Sequence, residues 1–208
     1  MPSKCNESES FMKYILASAS PRRKEILENI GLDFTVITSD ADENSNISDP
    51  EELTQELSRR KGEAVRNLLL SKGELVDDTV IIASDTVVYA GGEILGKPHS
   101  KDDAERMLRL LSGSTHTVTS GVAIIYGGKT VTAYSTTAVT FDELDEDFIA
   151  SYIASDEPYD KAGGYAIQGK AGEVISKIDG CYFNVVGLPF NRLCKLAKEN
   201  NIPFELKR

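Results

Sequence analysis

ILASASPRRKEILENIG, residues 15–31, decides how the rest of the chain is read. A β-prone run over residues 14–17 leads into Ser18, Ala19 and Ser20, and Pro21 then opens a segment in which Ile26, Leu27 and Ile30 recur at helical spacing. Ser20 suits the N-cap, Pro21 the first helical position and Gly31 the stop after the last turn. Charge is out of place in this turn. Arg22, Arg23 and Lys24 crowd the positive end of the helix dipole, where each cation costs about 0.3–1 kcal/mol. An anion bound at the turn removes the conflict, because free backbone N–H groups and two guanidiniums are donors for phosphate oxygens. The same arginines are also readable as solvated surface residues. If charge alone governs them, replacing either leaves the stability of the free protein unchanged or slightly raised.

Two further helix starts show the ordinary pattern. Asp49-Pro50-Glu51-Glu52 and Ser100-Lys101-Asp102-Asp103 each place a capping side chain before acids in the first turn. Over the whole chain the balance is acidic, with net charge −10 and a pI near 4.8. That excludes a general nucleic-acid surface or an anionic-membrane surface, both of which need basic stripes, so any phosphate site is local. With 208 residues, 40% of them hydrophobic, the chain can bury a substantial core. Cys5, Cys181 and Cys194 are odd in number and lack CxxC spacing, which predicts reduced thiols and a cytoplasmic location. Residues 1–12 carry no apolar run of signal length and read as a flexible leader, and residues 13–208 as a single domain without internal repeats. No run approaches the ~18 apolar residues of a membrane span.

Residues 34–38 read as a short strand, followed by an acidic loop, Asp40-Ala41-Asp42-Glu43-Asn44. A helix over about residues 50–70 sets Lys61 off the middle of its apolar stripe, the usual place for a solvated side chain. TVIIA, residues 79–83, is an apolar run suited to a strand buried on both faces, and it ends in Ser84-Asp85-Thr86. In α/β sheets ligands gather beyond the carboxyl ends of strands, so Asp85 is either a site acid or a carboxylate that caps a turn. Gly91-Gly92 and Gly127-Gly128 mark two hairpins. Gly96-Lys97-Pro98 lacks the spacing of a Walker loop, and two histidines, His99 and His116, make no histidine metal cluster. Residues 155–172, SDEPYDKAGGYAIQGKAG, have no period, yet Tyr159, Tyr165 and Ile167 call for burial. Such loops in a compact domain are usually functional.

Taken together, SASPRR, SDT, GKP, LSGSTHTVTSGVA and DEPYDKAGGYAIQG, in that order, closely resemble the Maf family. The resemblance extends from Lys13 to Phe190. It implies an α/β fold of the inosine triphosphate pyrophosphatase type, with a mixed twisted sheet and two lobes around a central cleft. The implied activity is nucleoside triphosphate pyrophosphatase, cleaving between the α- and β-phosphates with a divalent metal, Mg²⁺ or Mn²⁺. A homodimer and a link to septum formation and division arrest are implied as well. Carried over by position, Ser18, Arg22 and Arg23 fall on the family's phosphate-binding turn, Lys61 on its helix lysine, and Lys97 and Gln168 on its remaining substrate-binding positions. Asp85 falls on the catalytic acid, and Asp42 with Asp85 on the metal-binding acids. DKAGGYAIQG with SDT matches the branch that takes dTTP and UTP, with modified pyrimidine nucleotides as related substrates in a house-cleaning role. Ser84, where many members have Ala or Gly, and Gly62, where Ala is common, are departures that remove no charge.

The chemistry asks for these residue types. Attack on a phosphoanhydride needs its oxygens neutralised by cations, and carboxylates to hold metal or take a proton from water. The other reading is a nucleotide-sensing regulator of septum formation without turnover, which needs the cations but not the acids.

Overall fold

The computed structural model describes residues 12–38 and 40–204. The expected leader falls outside these residues except for Met12, and Cys5 lies outside them too. In chain order the elements are β1 (Lys13–Leu16), α1 (Pro21–Asn29), β2 (Phe34–Val36), α2 (Pro50–Lys72), β3 (Thr79–Ala90), β4 (Glu93–Leu95) and α3 (Lys101–Leu111). They continue with β5 (Thr115–Tyr126), β6 (Lys129–Phe141), α4 (Glu146–Ile153), β7 (Ile175–Asp179), α5 (Tyr182–Val186) and α6 (Phe190–Glu199). Between α4 and β7 the chain makes short 3₁₀ turns at Pro158–Asp160, Ala162–Gly164 and Lys170–Val174. Among the described residues no helix is long and apolar enough to cross a membrane.

The sheet is mixed and runs β2-β1-β3-β5-β6-β7, with β4 on the far half of β3. β1 is parallel to both β2 and β3, while β3, β5, β6 and β7 form an antiparallel meander. Because β1 has four residues and β3 has twelve, β1 covers only the first part of its neighbour, through Leu16 beside Ile82. Past Ile82 that flank of β3 opens.

Strand alternation sorts the apolar residues into separate cores. On one face Leu16, Ile82 and Ile124 pack with Leu27 of α1 and Leu193 of α6. On the other, Ile15, Ile81 and Ala123 meet Val65 and Leu69 of α2. The outer halves of β3 and β5 enter a further core, where Val88, Val118 and Phe141 lie with Leu108 of α3 and Tyr152 of α4. Leu27, Leu108 and Leu111 are fully buried, each contributing about 1.5–3 kcal/mol of transfer free energy. The two-lobed α/β plan expected from the resemblance is this arrangement, with β3 and β5 running through both halves.

α2 lies unusually close to the sheet at one point. A Cβ on Gly121 would come 2.3 Å from the Thr54 carbonyl carbon, so only glycine lets the helix settle there. Gly121 pairs with Asp85 across β3 and β5, and two turns along α2 from Thr54 stands Lys61. The close approach delivers that lysine to the strand.

His116 has the structural role that a lone histidine near a strand start suggests. It is 2% exposed, its Nε2 lies 2.6 Å from the Tyr165 hydroxyl, and its ring meets Phe141 edge-on. Nδ1 is buried without a partner among the described residues. Burial favours the neutral ring and pulls its pKa from 6.5 to about 4. The unfolded chain therefore binds a proton that the native state refuses between those values. The resulting stabilisation is complete above pH 6.5 and is lost as pH falls toward 4, a change of roughly 3 kcal/mol. His116→Phe is expected to flatten this part of the stability curve, read as denaturant midpoints at pH 4.5 and 7.5. Parallel wild-type and variant curves would assign the acid sensitivity elsewhere.

Candidate active site

A cleft of about 740 Å³ opens where β1 stops, lined by the β1–α1 turn, α2, the middle of β3, the loop after β4, and residues 160–168. Its first wall is the turn that begins the sequence argument. Ser20 occupies the N-cap of α1 with φ −64° and ψ 118°, but its side chain caps nothing, and no acid stands in the first turn. By contrast, Asp49 caps α2, Ser100 caps α3 and Asp145 caps α4, each by side-chain hydrogen bonds. α1 thus presents an uncapped positive helix end to the cleft, the arrangement that receives anions.

The two arginines of this turn differ. Arg23 donates from Nε to the Gly187 carbonyl at 2.8 Å, from one terminal nitrogen to Ser18 Oγ at 3.0 Å, and from the other to Thr86 Oγ1 at 3.2 Å. Ser18 Oγ also accepts the Ser20 N–H at 3.2 Å. Desolvation lowers the Arg23 pKa and Arg22 adds to the shift, while Asp85 and Glu43 oppose it. An arginine stays charged through such changes. Arg23 is therefore a partly buried, desolvated cation that ties the turn to β3 and α5. Arg22 is freer, 24% exposed in its side chain, with Asp160 at 3.5 Å across the cleft.

At the floor, Lys61 Nζ donates to Asp85 Oδ1 at 2.5 Å, and Glu43 Oε2 lies 3.2 Å from the same ammonium. Asp85 is 7% exposed. Its placement corrects one expectation. Asp85 is not at a strand end but inside β3, which continues unbroken to Ala90. The site arises instead beyond the carboxyl end of β1, whose early stop bares the middle of β3. Asp42 stands beside the cleft rather than in its lining. Its carboxylate turns back to accept from the backbone and side-chain nitrogens of Asn44, both at 2.9 Å, and its own carbonyl accepts from Arg60 at 3.2 Å. Neighbouring side chains in such a turn point apart, so Glu43 enters the cleft and Asp42 does not.

The opposite wall carries Lys97, on the loop after β4, and Gln168, both exposed side chains that line the cleft. Leu53, Leu57, Val87 and Ile94 give it an apolar patch. The structure thus gathers Ser18, Arg22, Arg23, Lys61, Asp85, Lys97 and Gln168 around one space. It adds Glu43, Thr86 and Asp160, which the sequence reading passed over although all three stand inside or beside quoted motifs.

The family model described as Maf-like protein matches residues 13–200. The chain belongs to the Maf family. It is 46% identical over 197 residues to a dTTP/UTP pyrophosphatase of Bacillus cereus (strain ATCC 10987 / NRS 248), covering 94% of each chain. It is 47% identical over 191 residues to a dTTP/UTP pyrophosphatase of Bacillus anthracis, covering 91% of this chain and 96% of that one. Among solved structures, the Staphylococcus aureus Ham1 protein superposes with a TM-score of 0.50 at 14% identity, covering 90% of this chain and 99% of that one. That likeness is one of fold.

Both departures of this Maf chain have a local account. Ser84 Oγ lies 2.7 Å from the Gly121 carbonyl and 2.9 Å from the Gly187 carbonyl, so its hydroxyl is satisfied on the face of β3 away from Asp85. A Cβ on Gly62 would meet Ile125 Cδ1 at 2.7 Å, the end of a flexible side chain that can move aside.

Proposed function

We propose that this Maf protein is a nucleoside triphosphate pyrophosphatase that converts dTTP and UTP to the monophosphate and pyrophosphate. The observation that carries the proposal is the pairing of an uncapped, doubly basic helix start with a carboxylate–lysine floor across one cleft. The α1 N–H groups with Arg22 bind phosphate oxygens, and Arg23 holds the turn in shape. Lys97 reaches the same oxygens from the far wall. Water adds to the α-phosphorus, the bond to the bridging oxygen breaks, and the cations stabilise charge as it moves onto the departing pyrophosphate.

A divalent metal fits the donors at the floor. Lys61 Nζ already stands between two carboxylates, Asp85 and Glu43, in a spot that favours positive charge. Among the described residues no group of three or more His, Cys, Asp or Glu forms a metal cage. Two carboxylates plus phosphate oxygens and water is the usual donor set for Mg²⁺, and Mn²⁺ accepts the same hard oxygens. Asp85 and Glu43 are the residues that would hold it, and when bound it would neutralise phosphate charge and activate water. A reducing cytoplasmic setting suits free Cys181 and Cys194, and a homodimer follows from the family resemblance.

Gln168 selects the base. Its amide offers one donor group and one acceptor, matching the O4 and N3–H edge of thymine or uracil; adenine reverses that pattern and leaves the amide mispaired, while guanine shares it and is turned away by the size of its ring. Pyrophosphate release measured over a nucleotide panel with Mg²⁺ and with Mn²⁺ is expected to rank dTTP and UTP above dATP, dGTP and 7-methyl-GTP in kcat/KM. Gln168→Ala is expected to flatten the ranking more than it lowers kcat. If 7-methyl-GTP were the best substrate, this assignment would be wrong, and nucleotide binding without pyrophosphate release would support the sensor.

A further inference from the structure

Gln168 stands at the tip of a tight turn. The Gly169 N–H donates to the Ala166 carbonyl at 3.0 Å, which leaves Ile167 and Gln168 as the two central residues. Exposed loop tips are ordinarily mobile, yet a residue that reads a base must be held within a fraction of an ångström of its working position. What holds this turn lies behind it. Tyr152, on α4, is 1% exposed and stacked on Phe148 at 5.5 Å. Its hydroxyl donates to Glu157 Oε1 at 3.0 Å and lies beside the Ala166 backbone, on one side of Gln168. Glu157 Oε2 accepts the Lys170 N–H at 3.2 Å, on the other side. Between the two, a Cβ on Gly169 would fall 1.8 Å from Glu157 Oε1, so the carboxylate fills the space that glycine leaves.

We propose that Tyr152 and Glu157 form a clamp that grips the backbone on both sides of Gln168 and so sets the base selectivity of the enzyme. Neither residue lines the cleft. They act through Gln168 and are positioning residues. The proposal rests on the reading of Gln168 as the base selector. One carboxylate does two jobs here: it orients the Tyr152 hydroxyl toward itself, and it receives the Lys170 amide two residues after the glutamine. Glu157→Gln keeps an acceptor for Tyr152 but turns an amide nitrogen toward the Lys170 N–H, setting donor against donor. Tyr152→Phe keeps the ring packing and removes only the hydroxyl.

The test is kcat and KM for dTTP and dATP in wild type, Glu157→Gln, Tyr152→Phe, Gln168→Ala and the double variant Glu157→Gln/Gln168→Ala, with thermal melts on each. Loosening a hydrogen-bonding selector costs discrimination first, so both clamp variants are expected to reduce the dTTP:dATP ratio of kcat/KM about tenfold, mainly through KM for dTTP, with kcat within roughly threefold. The double variant is expected to discriminate no worse than Gln168→Ala alone, which is the mark of one residue acting through another. A clamp with a purely structural role would lower all nucleotides alike and leave the ratio standing, and that result overturns the proposal. So does a double variant that loses discrimination beyond Gln168→Ala. If Gln168→Ala itself keeps the wild-type ratio, the base reading fails. That outcome is distinct from failure of the clamp alone, in which Gln168→Ala flattens the ratio and the clamp variants do not. Tyr152→Phe, with its core packing intact, keeps the test open should Glu157→Gln fold poorly.

Discussion

Asp85→Asn lowers kcat by about 100-fold or more while the protein stays folded, the usual scale when a charge that acts in the transition state is removed. The substitution is nearly isosteric, and the β3 backbone pairing with β5 does not depend on the carboxylate. What is lost is the negative charge facing Lys61 at 2.5 Å. Glu43, 3.2 Å from the same ammonium, keeps the lysine partnered, so the melt should fall only modestly. Steady-state pyrophosphate release at saturating nucleotide and metal, beside a thermal melt, decides the matter. A variant with near-normal kcat would make Asp85 a carboxylate that merely holds α2 against the sheet.

Arg23→Gln and Arg22→Gln should part company. Arg23 makes three hydrogen bonds from a desolvated guanidinium, and a glutamine cannot reproduce the fork, so a loss of about 2–3 kcal/mol in stability is expected. Arg22 faces a helix dipole of like sign, and its partly exposed contact with Asp160 at 3.5 Å is worth about 0–1 kcal/mol. Its replacement should leave the free protein as stable as before, or slightly more so, while the stabilisation conferred by nucleotide shrinks. Melts with and without dTTP read both quantities. Equal behaviour of the two variants would mean that charge, not burial, governs the turn. Charge alone predicts equal behaviour, and geometry corrects that for Arg23.

The sequence was most legible where local rules and tertiary structure agree. α3 begins at its Ser100 cap and runs over residues 101–111, and the uncapped, basic start of α1 was visible as an exception beside the capped, acidic starts of α2 and α3. It was least legible where long-range pairing overrides local preference. Ser84-Asp85-Thr86 reads as the end of a strand because Ser and Asp are poor strand formers. Yet β3 carries them straight through, with Ser84 satisfied by two carbonyls and Asp85 by a lysine from α2. Asp42 and Glu43 are chemically alike neighbours, and only the turn made with Asn44 decides which enters the cleft. The structural share of Arg23 depends on Gly187, 164 residues away, and no periodicity reports a partner at that distance.

That carbonyl sets an order of assembly. Gly187 accepts from Arg23 and from Ser84, closing contacts across 164 and 103 residues. Contacts of such span are among the slowest to form, since the intervening chain must first be brought into register. During synthesis from the N-terminus, β1, α1 and β3 emerge long before residue 187, and until it docks the Arg23 guanidinium has no acceptor there. Nucleotide-binding competence therefore arrives late in folding, with the segment that carries α5 and α6, and a chain cut short before residue 187 would keep all seven strands but release the arginine that shapes its phosphate turn.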